Sequence, residues 1–121
     1  MLALVVDDSR AMRAILTRLL NGLGFDVAQA GHGEEALGVI DAGTRPDVIL
    51  VDWNMPVMDG LEFLINLRQL PNGGSPKVLF CTTESDVKHI TKAMQAGADE
   101  YIMKPFNKQI VKSKFEEVGL C

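Results

Sequence analysis

Two hydrophobic rhythms alternate along this chain. Five short, nearly continuous apolar runs recur at fairly even spacing: Leu2 to Val6 (LALVV), Phe25 to Ala30 (FDVAQA), Val48 to Val51 (VILV), Lys77 to Cys81 (KVLFC) and Glu100 to Met103 (EYIM). Apolar runs of this length, rich in β-branched residues, read as strands buried on both faces, as in a parallel sheet. Between them the spacing changes to three and four. Met12, Ile15, Leu16, Leu19, Leu20 and Leu23 make one face of an amphipathic helix. Asp8 or Ser9 can cap it, and Gly22 or Gly24 can end it. Further helices are predicted over Glu34 to Ala42, stopped by Gly43; Gly60 to Leu70, before the loop PNGGSP; Ser85 to Ala96, closed by Gly97; and Asn107 to Val118, closed by Gly119. Five βα units in succession predict an α/β fold, a doubly wound parallel sheet with helices on both faces and right-handed crossovers. The 121 residues suffice for one domain spanning 1–121, and no repeat or linker divides them.

Composition narrows the function classes only slightly. With 47% hydrophobic and 23% charged residues, the chain has the make-up of an ordinary globular protein. A net charge of -4 argues against nucleic acid as a direct partner, because phosphate binding favours a basic footprint. No apolar run is long enough to span a bilayer. The opening MLALVVDDS lacks a basic n-region and reads as a strand rather than a signal peptide. Cys81 lies inside an apolar run and is expected to be a buried small hydrophobe; with only Cys121 besides, a cytoplasmic protein fits best. His32 and His89 stand in no ligand pattern and are expected to be solvated.

The chemistry collects at the strand ends. In open α/β sheets ligands bind beyond the carboxyl ends of the strands, near the switch in strand order. The first run ends in Asp7 and Asp8, the third in Asp52, the fourth in Thr82 and Thr83, and the fifth in Lys104, followed by Pro105. The second ends in the plain turn GHG. Each residue taken singly has an ordinary explanation: a cap, a turn, an extended residue before proline. Together they deliver acids, a hydroxyl and an ammonium to one edge. If the first strand lies between the second and third, Asp7, Asp8 and Asp52 converge. Two carboxylates about 5 Å apart repel by roughly 3 kcal/mol at an effective dielectric near 20. Such a site must protonate one acid or bind a cation, and hard oxygen donors with room for water suit Mg²⁺. A metal and Lys104 around one carboxylate would make a receptor for a phosphoryl group, with a threonine hydroxyl as a further donor.

The stretches VVDDS, VDWNMPVMDG, CTTES and YIMKPF, in this order and spacing across the whole chain, resemble the receiver domain of two-component response regulators. Trp53 and Asn54 after the acid, Glu84 two residues after Thr82, and the ending KFEEVGLC resemble the stand-alone chemotaxis type in particular. The resemblance implies a flavodoxin-like sheet of order 2-1-3-4-5. It implies that Asp52 accepts a phosphoryl group from a histidine kinase. Mg²⁺ would be held by Asp8 and Asp52 through their carboxylates, by Asn54 through its backbone carbonyl, and by Asp7 mainly through water. Thr82 and Lys104 would bind the phosphoryl group, Tyr101 would swing inward when Thr82 moves, and Asn54 and Glu84 would tune dephosphorylation. The Lys104–Pro105 peptide would be cis. A monomer would then change its binding to a target on the face of helix 4, strand 5 and helix 5, where Lys88, Lys92, Lys108 and Lys112 lie. The target could be a flagellar motor switch protein, a phosphorelay component or a kinase, or the chain could act as a phosphate sink.

Three rivals are weaker. An aspartyl-nucleophile phosphatase usually wants a second acid two positions after the nucleophile, where this chain has Asn54, and a cap domain. A flavin or nucleotide module would call for a G-x-G-x-x-G or a P-loop, and neither is present. A pseudo-receiver scaffold would leave some acid, Thr or Lys positions empty, and all are filled.

Overall fold

The computed structural model describes residues 1–55, 57–71, 73–83 and 89–120. Five parallel strands, β1 (Leu2–Val6), β2 (Asp26–Ala30), β3 (Val48–Asp52), β4 (Lys77–Thr82) and β5 (Glu100–Met103), alternate with α1 (Arg10–Gly22), α2 (Gly33–Asp41), α3 (Gly60–Gln69), α4 (Ile90–Gln95) and α5 (Lys108–Glu117). The sheet order is β2-β1-β3-β4-β5. The switch in order therefore falls between β1 and β3, the strands that end in Asp7 and Asp52.

Period-two alternation divides the core into two layers. Leu4, Val6, Ile49, Val51, Val78 and Phe80 face one side and pack under α2, α3 and α4 through Ala36, Ile40, Phe63, Leu64, Leu67 and Ala93. Ala3, Val5, Val48, Leu50, Leu79, Cys81 and Ile102 face the other and pack under Leu16 and Leu20 of α1 and Val111 and Phe115 of α5. Each of the larger side chains contributes on the order of 1.5–3 kcal/mol by leaving water. The apolar run at Val48 is buried throughout because it lies inside the sheet with helices on both sides.

The helix starts follow their capping chemistry. Ser9, Asp59 and Asn107 accept backbone N–H bonds from Met12, Glu62 and Ile110. His32 does the same for α2: its ring nitrogen accepts from the Glu35 N–H at 3.2 Å, while the Glu35 carboxylate accepts from the Gly31 N–H at 3.2 Å. The His32 side chain stays 45% exposed, as expected of a solvated ring, while taking the place of the usual Ser or Thr at the helix N-cap. Of the helix predicted from Ser85, residues 85–88 lie outside the described residues, and α4 runs from Ile90. No helix among the described residues is long and apolar enough to cross a membrane.

Candidate functional site

Three ladder bonds carry the sheet one step beyond its strands and fix the residues at its carboxyl edge. The Asp7 N–H donates to Ala30 C=O at 3.2 Å, the Trp53 N–H to Cys81 C=O at 3.1 Å, and the Lys104 N–H to Thr82 C=O at 2.6 Å. Asp7 and Asp52 are therefore aimed by buried strands and Lys104 by the edge strand β5, and all three hold position better than free loops would.

The three acids meet at that edge. One carboxylate oxygen from each of Asp7, Asp8 and Asp52 lies within 4.8 Å of the others. The Lys104 ammonium is 3.3 Å from Asp52 Oδ1 and 3.9 Å from Asp7 Oδ2. Asp7 is buried, with Oδ1 accepting from the Ser9 N–H at 2.8 Å and Oδ2 without a hydrogen-bond partner among the described residues. Three carboxylates against one ammonium leave an excess of negative charge, and a buried oxygen without a partner is costly unless something occupies it. An all-oxygen donor set with this charge fits a hard divalent cation such as Mg²⁺.

Asp52 carries the cost of this crowding. Burial is the main cause that raises its pKa above the ordinary 3.8, and the Asp7 charge adds to it. The Lys104 charge, the Asn54 N–H at 3.3 Å and the Lys104 hydrogen bond act the other way without cancelling the rise. Below it, burial pushes the Cys81 thiol up to about 12, which makes it inert packing.

The remaining predicted residues are placed as follows. Thr82 is buried at the end of β4, its hydroxyl donating to Thr83 C=O at 3.3 Å. Tyr101 pairs with Phe80 in register, so strand alternation puts Tyr101 and Thr82 on the same sheet face. The half-buried Tyr101 ring has Lys114 Nζ 5.2 Å from its centroid, and Lys114 also pairs with Glu100 at 3.7 Å. The Lys104–Pro105 peptide is cis. Glu84 and Lys88 lie outside the described residues.

Two expectations need correction. Lys108 and Lys112 do not lie beside Tyr101: both line the groove against Gly22 of α1. With Val111 and Phe115 buried, helical geometry sends 108 and 112 to one flank of α5 and Lys114 to the other. His89 is not a free solvated ring either. It stacks on Trp53 with centroids 5.7 Å apart and an interplanar angle of 10°, while Phe80 meets Trp53 edge-on at 5.2 Å. Sequence reasoning passed over Arg13 and Gln29, which also reach this edge. Arg13 donates to Asp7 C=O at 2.6 Å and to Gln29 Oε1 at 3.2 Å. No local spacing announces contacts that join a helix, a turn and a neighbouring strand.

Sheet order, switch point and the acid cluster with its facing lysine together define a response regulator receiver domain. The family model of that description matches residues 3–116, and the chain belongs to the family. Among its relatives, the chemotaxis protein CheY1 of Helicobacter pylori is 40% identical over 116 residues, covering 95% of this chain and 94% of its own. The solved structure of Vibrio cholerae chemotaxis protein CheY4 superposes with a TM-score of 0.88 at 33% identity, over 97% of both chains. The receiver domain of the Pseudomonas aeruginosa sensor histidine kinase PA1611, solved with a magnesium ion coordinated in its active-site cleft, is 25% identical. Its TM-score is 0.84, over 98% of this chain and 97% of its own.

Proposed function

We propose that this chain is a phosphorylatable switch that takes a phosphoryl group from the phosphohistidine of a histidine kinase onto Asp52. The observation that carries this reading is the convergence of three carboxylates with Lys104 Nζ, 3.3 Å from Asp52 Oδ1. An Asp52 carboxylate oxygen attacks phosphorus. The phosphorus–nitrogen bond breaks, its electron pair returns to the imidazole, and Asp52 becomes an acyl phosphate. Asp8 and Asp52 through carboxylates, Asn54 through its carbonyl, and Asp7 mainly through water would hold Mg²⁺, which when bound neutralises charge on the transferring phosphoryl oxygens. Lys104 holds the carboxylate from the opposite side, keeps it oriented, and is placed to pair with a phosphoryl oxygen.

Among the described residues the Thr82 hydroxyl donates a long bond to Thr83 C=O, and a phosphoryl oxygen offers it a stronger acceptor. Tyr101, on the same sheet face, would follow and alter the face of α4, β5 and α5. The CheY relatives favour a chemotaxis pathway, with a chemotaxis-type kinase as donor and a flagellar motor switch protein as a candidate target.

A kinase carrying labelled phosphohistidine tests the transfer. With Mg²⁺ the label should pass to the wild-type chain and stay on the kinase when the acceptor is Asp52→Asn. Thr82→Ala should still take the label but lose the phosphorylation-dependent change in target binding. Label passing equally to Asp52→Asn would place the acceptor elsewhere.

A further inference from the structure

Asp7 offers a backbone N–H, a backbone C=O and two carboxylate oxygens, and among the described residues all but one of these are hydrogen-bonded. The N–H bonds Ala30 C=O, Oδ1 accepts from the Ser9 N–H, the C=O accepts from Arg13, and Oδ2, 3.9 Å from Lys104 Nζ, accepts no hydrogen bond among the described residues. Among the described residues, the Arg13 bond is the hydrogen bond to Asp7 that a side chain makes. We infer that Arg13 is a positioning residue that sets divalent-cation affinity by pinning the β1–α1 turn, so that Asp7 and Asp8 are presented at fixed separation to Asp52. This rests on the reading of that cluster as a cation site.

The guanidinium is itself held. Its Nε donates to Gln29 Oε1 on β2, and Gln29 Nε2 donates to Thr17 Oγ1, one turn further along α1. The bonds thus run from α1 to β2, back to α1, and from α1 to the end of β1. The planar fork of an arginine meets two acceptors in fixed directions, and a lysine cannot. Arg13 bonds the neutral carbonyl of Asp7, and the charges that shift Asp52 are those of Lys104 and Asp7.

Geometry and charge predict opposite signs. A cation beside a cation site weakens metal binding, so a purely electrostatic Arg13 would make Arg13→Ala bind Mg²⁺ more tightly. A positioning Arg13 makes it bind more weakly, by about tenfold, as is usual for residues that orient metal ligands. The experiment is a MgCl₂ titration of the intact protein by Trp53 fluorescence, repeated by calorimetry, with folding checked by circular dichroism. Arg13→Ala should weaken binding about tenfold, with smaller weakening for Arg13→Lys, which keeps the charge, and for Gln29→Ala, which frees the guanidinium. Unchanged or tighter binding in Arg13→Ala overturns the inference. If that variant does not fold, unchanged binding in both Arg13→Lys and Gln29→Ala overturns it. Failure of the underlying site looks different: Asp8→Ala would then bind Mg²⁺ as the wild type does.

Discussion

Asp52 illustrates at the residue scale how function and stability oppose one another. Its raised pKa means that the folded chain binds a proton more readily than the unfolded chain does. Stability therefore falls as pH rises from the unfolded value of 3.8 through the folded one, and above that the whole penalty is present. In EDTA at neutral pH, Asp52→Asn should melt higher than the wild type, and the gap should close on acidification below 3.8. Saturating Mg²⁺ should reverse the order, because a ligand at a hundredfold its Kd stabilises the wild type by about 2.7 kcal/mol. Thermal melts across pH with and without Mg²⁺ check both halves; an Asp52→Asn variant less stable than wild type in EDTA at neutral pH would contradict the account. The strand-end acids were legible in the sequence because an ionisable residue directly after a buried run is conspicuous. Arg13 was not, because its partners are brought together only by folding.

The β3–α3 junction is the element on which the site leans. Gly60 begins α3, its N–H donates to Trp53 C=O at 3.1 Å, and its Cα lies against the core. A Cβ there would stand 2.6 Å from a Phe80 ring carbon and 3.2 Å from the Trp53 Cα. Neither neighbour can give way cheaply, one being a core ring and the other backbone next to Asp52. Gly60→Ala should cost about 1–3 kcal/mol in urea unfolding and shift Trp53 emission; an unchanged midpoint would contradict this close packing. The loop just before α3 carries its own strain, with exposed Val57 at φ 69, a conformation unfavourable for a β-branched residue. Strands and helices were readable from periodicity, their ends to within a residue or so in most cases. The flank of α5 that each lysine occupies was not read, because it depends on which stripe is buried; nor was the His89–Trp53 stack, which joins α4 to the end of β3.

At the scale of the molecule, two apolar layers clamp one sheet, and the polar residues that matter stand where the sheet ends. Five βα units dictate this architecture, but periodicity does not say which strands are neighbours. The order 2-1-3-4-5 came from the family resemblance, and with it the convergence of Asp7 and Asp52. The central claim is that the edge of this sheet holds the parts for phosphorylation itself: a nucleophile, a cation site and a facing ammonium. The most direct measurement supplies only a donor. Incubated with Mg²⁺ and acetyl phosphate and weighed intact by mass spectrometry, the chain should gain one phosphoryl group, which fragmentation places on Asp52. The group should be lost at high pH, as an acyl phosphate is, and should be absent in EDTA and in Asp52→Asn. Full labelling of Asp52→Asn, or labelling of the wild type that is indifferent to Mg²⁺, would contradict the account.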